Sequence, residues 1–494
     1  MAQENSTSSE ISKYVSNTDK DIYTVSNIPE EVIAVIFAYV SRSPKSFREN
    51  IGVVIQEEQH GVERAAKFHE KWVLNYGHSS VAEHAAVHLG VEKVSRLFSS
   101  ILELSNEYLS FTEYSQRYQK PEKGDFFTPE ELIDSPNLLR EYVDLNNHVY
   151  DIYAELYNRL FEYLKDTEPT PEGTDEKTHH RALEKLAFED ARYALTLATF
   201  TNLGMTGNAR AMEDSLSELL SSRYSEVRKR AQEIKDEVKF SVPTLVKYAD
   251  ENKYITQTRN ELKAAAESLI RDNTANEAIN GGSVNLLEWT GQGSSDAEKI
   301  AVGEIVKALV FEQSDSNYKE IDTLINNADV NTTISILQNS LERLKKYDNP
   351  IRALKLVKYK VEYVISEACW HQLLRHRKTD WIFQEPSIKH SITIPPNIEN
   401  AGMSSVLKQA TEKCEELHLQ LVKENLHEVA SYMVTNAHNR RVIGSFDLWE
   451  LFHLINLRMS EGAQWDIKNI TGKLANKIAE HHPALIAPAL KRIK

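Results

Sequence analysis

Two stretches of this chain run through the same order of hydropathy patterns. A repeat constrains the fold more than any local signal, because each copy must build the same core. Over residues 85–91, Ala85, Val87, Leu89 and Val91 alternate with more polar positions such as His88 and Gly90, the period of a half-buried strand. At a shift of 270 residues this stretch falls opposite 355–361, where Val357, Tyr359 and Val361 alternate with Lys358 and Lys360. The period then turns helical, although Val94-Ser95-Arg96-Leu97 shares only its Val with Val364-Ile365-Ser366-Glu367. Further on, at a shift of 239, Glu189-Asp190-Ala191-Arg192-Tyr193 faces Glu428-Val429-Ala430-Ser431-Tyr432. The order strand, helix, helix recurs, but the literal identity is low. Pattern alone leaves tandem duplication and coincidence equally open.

Composition narrows the fold class. Only 17 Gly and 14 Pro punctuate 494 residues, which favours long helices over collagen-like or all-β architectures, and 41% hydrophobic residues argue against disorder. Helical patterns run over 29–42, 61–75, 95–108, 136–166 and 178–240. The Ser-, Asn-, Thr- and Lys-rich residues 1–22 read as a mobile arm, and the Asn-, Gly- and Ser-rich segment 272–297 is the best candidate boundary between halves. No apolar run approaches the ~20 residues of a membrane span, and the polar opening MAQENSTSSE lacks a signal-peptide pattern. Two cysteines, Cys369 and Cys414, make neither a disulfide framework nor a thiolate metal site. The expectation is a cytoplasmic chain. A net charge of −15 disfavours nucleic acid as a partner but is compatible with a local basic pocket for a small anion.

Four clusters could carry chemistry. In Glu113-Tyr114-Ser115-Gln116-Arg117-Tyr118, an extended backbone would point Glu113, Ser115 and Arg117 to one face. A hydroxyl beside a guanidinium suits a phosphate, and the carboxylate could accept from a base or sugar; an incidental surface ion pair explains the same spacing. Gln372, Arg375, His376 and Arg377 close an apolar helix. They could hold an anion or an electron-rich ring, or simply complement the helix dipole. His78-Ser79-Ser80-Val81-Ala82-Glu83-His84 lacks the spacing of a metal motif, so no metal is expected, and a polar ligand site or a capped helix start remains. Arg210 lies in an apolar helical region and needs a carboxylate, a phosphate or water. No Gly-rich phosphate loop, nucleophile elbow or convincing nucleophilic cysteine appears.

Taken in order, these pieces resemble the flavin-dependent thymidylate synthases. That family carries H-x-S-x-x-E-H, a strand, a helix leading into R-H-R-x-x-S-x-N-E-x-S-x-R-Y, then E-x-A-R and N-A-R. The first half matches with His78, Ser80, Glu83 and His84, then Ser110, Glu113, Ser115, Arg117 and Tyr118, then Glu189, Ala191 and Arg192, then Asn208-Ala209-Arg210. It has Ser105-Asn106-Glu107 where the family has R-H-R, and Thr112 for Asn. The second half keeps Gln372, Arg375-His376-Arg377, Leu457-Arg458 and Ala463-Gln464-Trp465-Asp466-Ile467. It has Trp449 opposite Arg210 and Ser431 opposite Arg192, and Glu385-Pro386-Ser387-Ile388-Lys389-His390 for E-x-S-x-R-Y after a two-residue insertion.

The resemblance implies a helix-rich α+β fold in two copies, each a small antiparallel sheet flanked by long helices, over 23–271 and 298–494. It implies conversion of dUMP to dTMP with FAD as cofactor and NADPH and methylenetetrahydrofolate as co-substrates. Arg375, His376 and Arg377 would act on the flavin and in catalysis; Glu113, Ser115, Arg117, Arg210 and Gln372 would hold the nucleotide; His78, Ser80 and Glu83 would line the flavin site. Because the halves lost opposite parts, the expectation is one site composed from both, in a homodimer that mimics the family's tetramer. The alternative is a catalytically inactive or repurposed nucleotide- or flavin-binding scaffold.

Overall fold

The computed structural model describes residues 11–40, 43–55, 61–71, 79–271 and 281–493. Helix α1 (Glu30–Val40) precedes strand β1 (Ala86–Ser95), helix α2 (Arg96–Leu104) and strand β2 (Ser110–Glu113). Two long helices, α3 (Pro136–Thr167) and α4 (Glu176–Ala191), lead to β3 (Phe200–Asn208), α5 (Ala209–Leu220) and α6 (Ser225–Val238). The second copy begins with an added strand, β4 (Ser283–Trp289), and repeats the order as β5 (Lys358–Ser366), α7 (Glu367–Leu373) and β6 (Asp380–Phe383). It continues through α8 (Ser404–Lys423), β7 (Asn439–Asp447), α9 (Leu448–Arg458) and α10 (Trp465–Ala479). The chain is thus helix-rich with two small antiparallel sheets, ordered β1-β3-β2 and β4-β5-β7-β6.

Sheet register corrects the alignment of the copies. Ala86 pairs with Asn208 and Lys358 with Asp447, so the strands correspond at a shift of 272 rather than 270. Between Val91 and Val94 a bulge adds one residue, with Lys93 at φ 52°, and the shift becomes 271. Ser95 then corresponds to Ser366, a match that the unbulged alignment hides. Both serines end a strand and cap a helix: Ser95 Oγ accepts from Phe98 N and Ser366 Oγ from Cys369 N, each at 2.9 Å. Both also donate to a buried carboxylate, Ser95 to Glu226 and Ser366 to Asp466, each at 2.5 Å.

A second correction concerns residues 178–240, which read as helical but contain β3. Thr201, Leu203 and Met205 alternate inward along it, and Gly207 lies so close to the Leu109 side chain that a Cβ there would collide with it. Extended structure also ends earlier than expected after β2. The backbone turns at Ser115–Tyr118, where Tyr118 N donates to Ser115 O at 3.0 Å, so Glu113 and Arg117 do not share a strand face.

By packing, the chain forms two compact units, 1–114 with 200–275 and 115–199 with 276–494, which cut across the repeat. In the first unit, Val87, Val91, Leu203 and Met205 on one sheet face, with Leu97, Phe98 and Val227 from α2 and α6, are buried. Val15 bridges Val25 within a separate cluster around Val32, Val35 and Ile36 of α1. In the second unit, α3 buries Val149, Tyr153, Leu156, Leu160 and Leu164 at helical spacing and packs on α8, whose buried face holds Leu407, Ala410, Cys414 and Leu421. Each leucine or valine of these faces stabilises by about 1.5–3 kcal/mol on leaving water. Residues 272–280 of the sequence boundary lie outside the described residues, and its later part forms β4.

Candidate functional site

In the second unit the buried helix α7 carries Gln372 and leads into Arg375-His376-Arg377, just past its last turn. Arg375 Nε donates to His371 O at 3.1 Å, and both Arg375 and Arg377 are exposed. His376 is buried between Glu450 Oε1, 2.9 Å from Nδ1, and Arg458 Nε, 2.9 Å from Nε2. Arg458 can only donate, so His376 Nε2 accepts and Nδ1–H donates to Glu450. Burial, with Arg458 and His453 beside it, holds His376 well below the usual imidazole range, so it stays neutral. Burial pushes Glu450 up to about 7. His376, Glu450 and His453 bring three potential metal-ligand atoms within 4.8 Å. Both His376 nitrogens are already engaged, however, and Arg458 and Lys378 place positive charge beside the group, which suits hydrogen bonding better than cation capture.

Arg458 and Gln464 were not among the expected site residues, although both lie in segments the resemblance had flagged. Arg458 also donates to Gln372 O at 2.7 Å. Burial, with Arg375 and Arg117 adding their charges, pulls Arg458 down to about 10. Arg117 comes from the first copy. Its Nε donates to Glu189 Oε1 at 2.7 Å and a terminal nitrogen to Gly462 O at 3.0 Å, so it sits on the loop between Arg458 and Gln464. Ser115 Oγ accepts from Arg117 N at 3.3 Å. Tyr193, also from the first copy, donates to Asp466 at 2.8 Å and accepts from Gln464 Nε2 at 3.2 Å. No local spacing could have flagged it. One unit therefore gathers arginines from both copies of the repeat around one loop.

The other expected residues lie in the first unit. Glu113 is buried, ion-paired with Arg96 and accepting from Thr201 Oγ1 at 3.1 Å. Phe383 stands at its position in the second copy, because Glu113 pairs with Leu203 and Phe383 with Val442. Glu367, at the position of Arg96, instead forms a buried ion pair with Arg440, which stands where Thr201 stands in the first copy, at 2.7 Å. Arg210 follows Asn208, which caps α5 through Ala211 N at 2.9 Å, and pairs with Glu83 at 2.5 Å, both about half exposed. Ser80 is exposed on the 3₁₀ turn Ser79–His84, and His78 lies outside the described residues. The hydroxyl of Tyr108 bonds Glu107, so the stretch replacing R-H-R in the first copy carries a carboxylate. In the second copy Trp449 stands where Arg210 stands in the first. Its indole donates to Pro350 O at 3.0 Å beneath Lys378, whose ammonium lies 3.7 Å from the ring centroid. Burial raises the Cys369 and Cys414 thiols, so neither offers a thiolate.

Comparison with known proteins places these features. The family model described as thymidylate synthase complementing protein matches the chain twice, over residues 23–244 and 304–484. The chain belongs to this family. It does so as a tandem duplication with diverged halves. A UPF0159 protein of Chlamydia pneumoniae is 24% identical over 96% of this chain and 92% of its own length. A UPF0159 protein of Thermoplasma acidophilum is 23% identical over 91% and 93% respectively. A flavin-dependent thymidylate synthase of Clostridium tetani is 28% identical over 45% of this chain but 82% of its own length, the proportion of a single copy. No described helix is long and apolar enough to cross a membrane.

Proposed function

We propose that the chain is a flavin-dependent thymidylate synthase of duplicated form, converting dUMP to dTMP. The observation that carries this reading is that Arg117 from the first copy, bonded to Gly462 O, and Arg375 from the second both place their charge beside Arg458. Arg117 and Arg375 each add positive charge beside the buried Arg458, a setting that attracts an anion. A nucleotide phosphate or an anionic reduced flavin meets that need. Gln372, whose backbone carbonyl accepts from Arg458, adds a buried side-chain oxygen without a protein partner, so these residues fit a flavin and nucleotide site.

When bound, FAD would supply hydride drawn from NADPH, with methylenetetrahydrofolate as the one-carbon donor. The chain's own part is electrostatic and geometric. Arg375 and Arg377 would stabilise negative charge on the ring system. Ser115 and Arg117 would hold the phosphate and fix the base. Neutral His376, locked between Glu450 and Arg458, would orient the Arg375–Arg377 turn. A homodimer would assemble four copies of the repeat, the number in the family's tetramer. The loss of R-H-R in one copy and of Arg210's counterpart in the other favours a second reading, a binding protein without turnover.

Growth of a thymidine-requiring bacterial host on this gene alone separates the two. Arg117→Ala and Arg375→Ala should each abolish that growth, because the site draws on both copies. Growth unaffected by either change sinks the composite site. Protein that carries and releases FAD on denaturation yet never supports growth would favour the binding reading.

A further inference from the structure

Gln372 is nine-tenths buried, and its side-chain carbonyl oxygen has no hydrogen-bond partner. Its amide nitrogen is fully used, donating to Ala368 O at 3.0 Å and to Gln464 Oε1 at 3.2 Å. An amide can usually exchange its two ends. Here the neighbouring bonds fix the choice. Gln464 is fully buried and caps α10, its oxygen facing Asp466 N at 3.2 Å and Ile467 N at 3.4 Å. Backbone amides can only donate, so Gln464 must present oxygen to them and to Gln372. Its nitrogen therefore turns to the Tyr193 hydroxyl, whose own proton goes to Asp466 at 2.8 Å. Ser366, the cap of α7, donates to the same Asp466 oxygen at 2.5 Å and so ties the helix carrying Gln372 to the network. Reversing Gln464 would set donor against donor, and reversing Gln372 would set its oxygen against the Ala368 and Gln464 oxygens, both within a buried network.

We propose that Gln464 is a positioning residue that locks the Gln372 side chain with its carbonyl oxygen as the acceptor of the arginine-rich site, so that the site selects a ligand presenting an imide N–H. This rests on the nucleotide and flavin reading above. A uracil ring and an isoalloxazine both carry such an N–H. Cytosine offers an acceptor at the same edge, and two facing acceptors repel. Gln372 and Gln464 come from the second copy but Tyr193 from the first, so the polarity of the site depends on both. Discrimination of this kind is strong, because the wrong ligand leaves a buried oxygen unpaired.

The test measures binding of dUMP, dCMP, FAD, N3-methylated FAD and inorganic phosphate to the full chain. Wild type should prefer the imide-bearing member of at least one pair, dUMP over dCMP or FAD over its N3-methyl derivative, by about tenfold or more. The pair showing the preference identifies whether uracil or flavin faces Gln372. Gln464→Met should bring that ratio to within about twofold while phosphate binding holds. Gln464→Glu, which keeps oxygen toward Gln372 and the backbone amides, should retain the preference. Tyr193→Phe, which removes only the hydroxyl holding Gln464 Nε2, should lower it in part and covers the case of a misfolded Gln464→Met protein. A wild-type chain that binds the ligands without preference, or a preference that survives both Gln464→Met and Tyr193→Phe, overturns the positioning role and leaves the site reading intact. A chain that binds no nucleotide and no flavin overturns both.

Discussion

Asp190 accepts from Trp465 Nε1 at 2.7 Å and Asn397 Nδ2 at 2.8 Å, yet burial pushes its carboxyl up to about 7 from 3.8. A carboxyl raised in the native state binds its proton more tightly there than in the unfolded chain. The stabilisation is complete below about pH 4 and is lost as pH climbs to about 7. Glu450 shares that window while the depressed His376 works against it, so the Asp190 contribution shows in a difference measurement. Asp190→Asn keeps an acceptor for Trp465 and cannot titrate. Between pH 4 and 7 the wild type should lose melting temperature relative to this variant, as read by calorimetry; parallel pH profiles would exclude a role for Asp190. At this scale the sequence displayed Arg117, Gln372 and the arginines after it as candidates, through charge and order. It could not display that Glu113 is buried against Arg96, because an ion pair between α2 and β2 depends on where the sheet brings them.

The repeated element is the strand–serine–helix joint. Ser95 and Ser366 each satisfy an orphan amide at a helix start and each donate to a buried carboxylate. Replacing either by alanine removes a cap, worth about 1 kcal/mol, and leaves a buried acceptor one partner short, worth about 1–3 kcal/mol more. Ser95→Ala and Ser366→Ala should each lower the denaturation midpoint by more than an isolated cap loss, measured by circular dichroism in urea. The Ser366 change should also disturb nucleotide binding, since its helix bears Gln372. Strands β1 and β5 were legible from alternation, and α3 from its length and period. Strand β3 was not, because a nine-residue run with two glycines is short beside the helices flanking it. The bulge at Glu92–Lys93 concealed the matching serines by moving the register one residue.

At the level of the whole chain, the compact units and the copies of the repeat are different divisions. Helices α3 and α4 come from the first copy but belong to the second unit, where Asn146 accepts from Thr196 Oγ1 at 2.7 Å and Tyr193 reaches Asp466. A fragment spanning only residues 281–494 would uncover the α8 face of Leu407, Ala410, Cys414 and Leu421, and strip Gln464 and Asp466 of their Tyr193 partner. Such a fragment should lack cooperative unfolding and near-ultraviolet dichroism, and adding residues 115–199 in trans should restore both. Cooperative folding of the fragment alone would show that the copy, not the unit, is the folding body.

The sequence by itself determined the family and the duplication, because motif order survives divergence that erases literal identity. It also determined the helical bias, since few glycines and prolines interrupt the apolar period. Only the tertiary structure decided which survivors meet. Arg117 reaches the Gly462 carbonyl across 345 positions of chain, and Tyr193 reaches Gln464 across 271. Contacts at such separations leave no local pattern, since they arise from how helices of one copy pack into the core of the other. The direction of each amide in that core is likewise a property of the assembled network, fixed by which neighbours can only donate.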